Sequence, residues 1–254
     1  MADVLEIPLF KERQWGELIW SVASDLGVDA VATATAALFF QRFCLSERQG
    51  DFDQHRLAVA CLWLASKVRE MPCRLRDIVN SFEVFLKEDS NEKGMSMEAY
   101  WALRDEVVAH EQVLLRAMGF DVELTPAYAY LSELMWLLGS DAPYSPVLSL
   151  AWTLMNDAFR SEVCAMAAPD RLALACLLLS LEMSRRVPEW QLTADRLAQR
   201  LDRLLREPRL EAFLGLGQDR GADELEDICN DLLTVYADAE RARSPKEGGK
   251  DLER

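Results

Sequence analysis

Apolar residues recur at spacings of three and four along most of the chain, which is the period of an amphipathic helix. Trp15, Leu18, Ile19, Val22 and Leu26 form the first such stripe, and Gly27 follows as a stop, predicting a helix over about 10–26. The next helix is predicted over 29–46, where Leu38, Phe39, Phe43 and Leu45 supply the packing face. Asp53 lies three residues ahead of Arg56 and opens an almost wholly apolar stretch, so a capped and centrally buried helix is predicted as far as Lys67. Pro72 breaks the chain, and a shorter helix is predicted over 74–86. The polar segment KEDSNEKG at 87–94 reads as a loop. Trp101, Val107, Val108, Leu114, Leu115 and Met118 then mark a long helix ending at Gly119, the fifth of the first half.

The second half repeats this plan. Residues 56–64 read RLAVACLWL and residues 171–179 read RLALACLLL, identical at seven of nine positions at an offset of 115. Asp53 and Asp170 precede the two stretches, and Pro72 and Pro188 follow them. Two such stretches in matching surroundings mark a duplicated helical unit. Around the second, helices are predicted near 126–138, 146–161, 169–184, 189–206 and 222–238. The expected organisation is all-α, with an N-terminal extension over 1–9, one five-helix domain over 10–120 and a linker over 121–125. A second five-helix domain over 126–240 and a flexible tail over 241–254 complete it.

Charge narrows the function. Lys plus Arg number 28 against 43 Asp plus Glu, a formal charge of −15, which repels phosphate backbones and disfavours direct nucleic-acid or anionic-membrane binding. Cys44, Cys61, Cys73, Cys164, Cys176 and Cys229 form no C-x-x-C pair, which suits buried thiols in a reducing compartment rather than a disulfide scaffold. The start MADVLEIPLF has no basic stretch leading into an apolar core, and the run Leu172 to Leu181 is too short to span a bilayer, so an intracellular soluble protein is expected.

Catalytic chemistry finds little support. With only His55 and His110 available, a serine triad or a histidine-rich metal site is hard to assemble. No glycine-rich nucleotide cradle, P-loop or EF-hand pattern occurs. What stands out is a few charges set in apolar helices. Lys67 ends the helix expected to be the most buried of the first unit, and Glu111 interrupts the 107–118 stripe. A charge against an apolar surface is costly without a partner. The residues alone allow Lys67 to snorkel and Glu111 to face water, or both to point at one external partner.

At these residues the sequence resembles the cyclin family. VATATAALFFQRF at 31–43, LAVACLWLASKVREMPCRLRDIV at 57–79 and LRDEVVAHEQVLLRAMGFDVELTPAYAYL at 103–131 resemble successive helices of a first cyclin box, in order and interval. The resemblance implies two tandem five-helix cyclin boxes and a non-catalytic regulatory subunit. That subunit would activate a cyclin-dependent kinase, with Lys67 and Glu111 gripping the kinase around its regulatory helix. Arg69, Glu70, Phe82 and Phe85 are further candidate contacts. ATP and magnesium would be bound by the kinase, so no cofactor of the chain's own is implied.

KVREMPCRLRDIV resembles transcription-type cyclins rather than mitotic ones. Residues 151–183 and 225–240 resemble the cyclin Q type, whose partner is cyclin-dependent kinase ten. Arg69 departs by standing where the family has a glutamate, Lys11 to Trp15 do not match the mitotic substrate-docking motif, and EAFLGLGQDRGAD at 211–223 replaces a tryptophan-rich segment of the cyclin Q type. Ser244, ahead of Pro245, is a candidate target of a proline-directed kinase. Residence in nucleus and cytoplasm, the nucleus favoured, is a family expectation. The rival readings are a transcription-factor-like binding module, which needs a basic face, a helical enzyme with a polar cleft, and a cyclin-fold scaffold that activates nothing.

Overall fold

The computed structural model describes residues 12–46, 52–86, 96–124, 127–139, 146–207 and 220–243. Its described elements are all helices: α1 (Glu12–Asp25), α2 (Ala30–Leu45), α3 (Gln54–Val68), α4 (Leu75–Leu86), α5 (Met97–Ala117), α6 (Ala127–Leu137), α7 (Pro146–Ala158), α8 (Val163–Met166), α9 (Pro169–Arg185), α10 (Pro188–Leu205) and α11 (Arg220–Arg243). They form two clusters. In the first, α3 packs against α1, α2, α4 and α5; in the second, α9 packs against α6, α7, α10 and α11.

The repeated stretches are the two central helices, and their composition explains why. Leu57, Ala58, Val59, Ala60, Cys61 and Leu62 are buried in α3, as are Leu172, Ala173, Leu174, Ala175, Cys176 and Leu177 in α9. Alternating small and large apolar side chains let neighbouring helices pack all round each rod. The repeat extends to an ion pair. Arg56 pairs with Glu106 of α5, and Arg171, its counterpart, lies 3.9 Å from Glu224 of α11. Each central helix is thereby tied through its first turn to the last helix of its own cluster.

Helix ends follow local chemistry. Asp29, Asp53 and Ser96 cap α2, α3 and α5 by accepting from the amides of Ala32, Arg56 and Ala99. Gly27 and Gly119 end α1 and α5 with positive φ (68° and 61°). After each, a 6→1 bond forms, Val28 N to Ala23 O and Phe120 N to Leu115 O, both 2.8 Å. At α3 the same turn is made by Glu70, φ 56°, with Met71 N donating to Ser66 O at 2.8 Å.

Two boundaries differ from the sequence expectation by more than two residues. α7 stops at Ala158 instead of 161, because Ser161 turns back and its hydroxyl donates to the Ala158 carbonyl at 3.0 Å; the one-turn α8 follows, which periodicity cannot register in four residues. α11 runs to Arg243, five residues beyond the expected end. The residues after 238 have strong helix propensity without an apolar stripe. The loop at 87–94, the end of the linker at Thr125 and the residues from Ser244 onward lie outside the described residues.

Candidate functional site

The C-terminal turn of α3 and the middle of α5 bring Lys67 and Glu111 together. Leu103, Val107 and Leu114 are the buried residues of α5, and Glu111 falls on that same face, one turn beyond Val107. Periodicity asks for an apolar residue there, and the carboxylate is accommodated by a cation: Lys67 Nζ donates to Glu111 Oε1. The pair is asymmetric, with the Lys67 side chain 39% exposed and that of Glu111 12%. The ammonium also lies 3.5 Å from the centre of the Trp63 ring, one turn earlier on α3. It is thus held between a carboxylate and an aromatic face, at a place open to solvent.

The other expected contacts separate. Glu70 is exposed directly after α3. Phe85 is half-buried on α4, beside Val84, which is 68% exposed. Phe82 corrects the expectation of a partner contact: it is fully buried, with its ring 6.0 Å from that of His55, because it points from α4 into the core. Arg69 is also turned inward. Its Nε donates to Thr35 Oγ1 at 2.9 Å and its Nη2 to the Leu124 carbonyl at 2.7 Å, so this cation fastens the segment between the clusters to α2 and α3.

Trp63 is the site residue that sequence reasoning missed. A signal existed, since Trp63 is one of two positions at which the repeated nonapeptides differ, with Leu178 opposite it. At the same offset the counterpart of Lys67 is Glu182, which pairs with Arg185 at 3.1 Å. It lines a groove of about 420 Å3 between α9 and α10, with Leu178, Leu181 and Leu201. Among the described residues the lysine–glutamate–tryptophan arrangement therefore belongs to the first cluster alone.

Neither histidine sits in a catalytic setting. His55 is buried, stacked on Trp15 at 6.1 Å, and desolvation lowers its pKa below the ordinary 6.5 against the pull of Glu83 and Asp53. His110 Nδ1 lies 2.8 Å from the Glu106 carbonyl, and its ring meets Phe52 edge-on. All six cysteines are free thiols. Burial pushes the Cys61 and Cys176 thiols well up and that of Cys164 to about 12, which suppresses the reactive thiolate. Among the described residues no group of three His, Cys, Asp or Glu could hold a metal ion, and no helix is long and apolar enough to cross a membrane.

Residues 10–123 match the family model described as Cyclin, N-terminal domain. The chain is 33% identical over 181 residues to cyclin pch1 of Schizosaccharomyces pombe, a match covering 69% of this chain and 52% of that protein. It is 26% identical over 228 residues to human cyclin-K, covering 89% of this chain and 36% of that one. It spans about half the length, or less, of these curated relatives. In structure it resembles a chain of the yeast RNA Pol II CTD kinase CTDK-1 complex, with a TM-score of 0.58, 16% identity, and coverage of 95% of this chain and 78% of that one. At that identity the likeness is one of fold.

Proposed function

We propose that this chain, whose residues 10–123 match the cyclin N-terminal domain, is a regulatory subunit that binds a cyclin-dependent kinase and activates it by positioning the kinase's regulatory helix. The observation that carries this reading is the Lys67–Glu111 pair beside Trp63, set at the exposed junction of α3 and α5. An ammonium has three donors, and the pairing with Glu111 leaves others free. The second carboxylate oxygen of Glu111 remains an acceptor. Such a preset pair can bond backbone groups of a docked helix without first reordering either side chain. Glu70, Phe85, Val84 and Trp63 supply surface around it, whereas Phe82 and Arg69 support from within.

Activation then needs only differential binding. A kinase is active when the glutamate of its regulatory helix pairs with its catalytic lysine. A rigid helical face that fits only the inward position of that helix shifts the equilibrium by the difference in affinity for the two states. The kinase would bring ATP and magnesium. We further propose a transcription-type kinase, with cyclin-dependent kinase ten the first candidate because residues 151–183 and 225–240 resemble the cyclin Q type. Residence chiefly in the nucleus accompanies that reading.

The test is capture of candidate cyclin-dependent kinases by the wild-type chain and by a Lys67→Ala, Glu111→Ala double variant of verified fold, with kinase activity read in the recovered complex. Capture of an active kinase by the wild type, lost or inactive with the variant, is the expected result. A well-folded wild type that captures none sinks the proposal.

A further inference from the structure

Beyond its first turn, which carries Glu189, α10 has its charge sorted by side. Ala194 and Leu201 are buried on its inner face, with Leu197, Ala198, Leu204 and Leu205 half-buried around them. Asp195 and Asp202 lie on one flank and are engaged, Asp195 by Arg185 at 3.0 Å and Asp202 by Arg206 at 3.0 Å. On the opposite flank stand Arg196, Arg200 and Arg203, spaced i, i+4 and i+7, all exposed. At 100° per residue they share an arc of about 60°. None of the three has a carboxylate within ion-pair distance among the described residues; Arg203 Nε donates only to the Gln199 carbonyl, at 3.2 Å.

Three guanidinium groups on one helix face without an acidic partner among the described residues stand out in a chain with 43 acidic and 28 basic residues; Arg42, Arg74, Arg76, Arg116 and Arg186 also lack one there, but no three of them share a helix. Arg56, Arg104, Arg160, Arg171, Arg185 and Arg206 each have an acidic neighbour. The row also has a fixed point. A β-carbon on Gly139 would lie 2.7 Å from Arg200 Nη1, so the missing side chain at 139 leaves space for that guanidinium at the C-terminal end of α6. The negative end of the helix dipole favours a cation there. One turn back on α6 is Trp136, 72% exposed.

We propose that Arg196, Arg200 and Arg203 of α10, with Trp136 of α6, form a docking surface for a carboxylate-rich segment of a partner protein. Guanidinium groups take carboxylates two-pronged, and arginine with tryptophan is the pairing enriched where interface energy concentrates. Nucleic acid is the less suited occupant, because its affinity rests on neutralising many phosphates along a strand, and this row supplies three cations. This surface lies in the second cluster and goes beyond the kinase-binding reading, on which it does not depend.

The test is fluorescence anisotropy of the full chain with a labelled oligoglutamate peptide carrying one central leucine, at low salt, with a labelled oligothymidine in parallel. Saturable peptide binding is expected, weakened about tenfold or more by Arg196→Glu, Arg200→Glu, Arg203→Glu together. Trp136→Ala should weaken it by about threefold. The corresponding Gln triple carries the test if charge reversal lowers the melting temperature. A charge-matched control, Arg42→Glu, Arg74→Glu, Arg116→Glu, should bind as wild type. Absence of peptide binding to the wild type, an equal loss in the control, or oligothymidine binding as tight as the peptide overturns the proposal.

Discussion

Gly16 of α1 lies so close to Arg160 that a β-carbon on it would fall 2.5 Å from the Arg160 carbonyl oxygen. One turn further along α1, the Arg160 guanidinium lies 5.4 Å from the Trp20 ring, so the two helical clusters meet here. Alanine in a helix interior normally gains about 1 kcal/mol over glycine. Against that stands overpacking on a backbone atom that cannot rotate away, which costs about 1–3 kcal/mol. We expect the clash to prevail, with Gly16→Ala lowering the melting temperature by roughly 2–4 °C in calorimetry. An unchanged or higher value would mean that the clusters separate at this junction without cost.

Glu70 does the work that glycine does at α1 and α5, with φ 56°. A non-glycine residue in this left-handed region costs about 1–2 kcal/mol, while glycine loses about 0.5–1 kcal/mol more backbone entropy on folding. The first effect prevails, so Glu70→Gly should raise stability slightly and Glu70→Val, β-branched, should lower it. Thermal melts of the three chains decide; Glu70→Gly melting below the wild type would show that the carboxylate has a stabilising contact.

The helix order, the duplication and the central burial of α3 and α9 were legible in the sequence because they rest on local period and on the near-identity of 56–64 with 171–179. Lys67 and Glu111 stood out in the sequence as charges set in apolar helices, and only the family resemblance joined them into one site. Their spacing says nothing of α3 lying against α5. Phe82 and Phe85, three residues apart on one helix, look alike to a periodicity argument and differ only in how deeply α4 sets each into the core. The inward bonds of Arg69 were not legible, because its partner, the Leu124 carbonyl, is 55 residues away. The arginine row on α10 was written in the sequence as i, i+4, i+7, but that Asp195 and Asp202 are engaged elsewhere depends on Arg185 of α9 and on Arg206.

His55 gives the fold a pH dependence. Its folded pKa is depressed by burial, with Glu83 and Asp53 raising it and Arg56 lowering it by lesser amounts. The unfolded chain therefore binds a proton more readily, and stability rises with pH. The contribution is complete above the unfolded value of 6.5 and is lost progressively as pH falls from there toward the lower folded value. His55→Phe, which keeps a ring between Trp15 and Phe82, should flatten the fall in melting temperature just below pH 6.5. A variant as pH-sensitive as the wild type in that window would assign the effect to another group.

The pair of Lys67 and Glu111 should respond unequally to removal of either partner. Lys67→Met leaves a carboxylate that is 12% exposed without its cation, and a buried charge cannot recover its solvation. Glu111→Gln leaves an ammonium that is 39% exposed, over Trp63, where it can turn to water. We expect a loss of about 1–2 kcal/mol for the first substitution and less than about 1 kcal/mol for the second, after allowing for solvent screening. The coupling from the double-mutant cycle should be on the order of 1 kcal/mol and shrink with added salt. Denaturant titrations of the four chains measure it. Equal losses with no coupling would mean that the pair contributes nothing to the free chain, and that its value is realised only when a partner covers it.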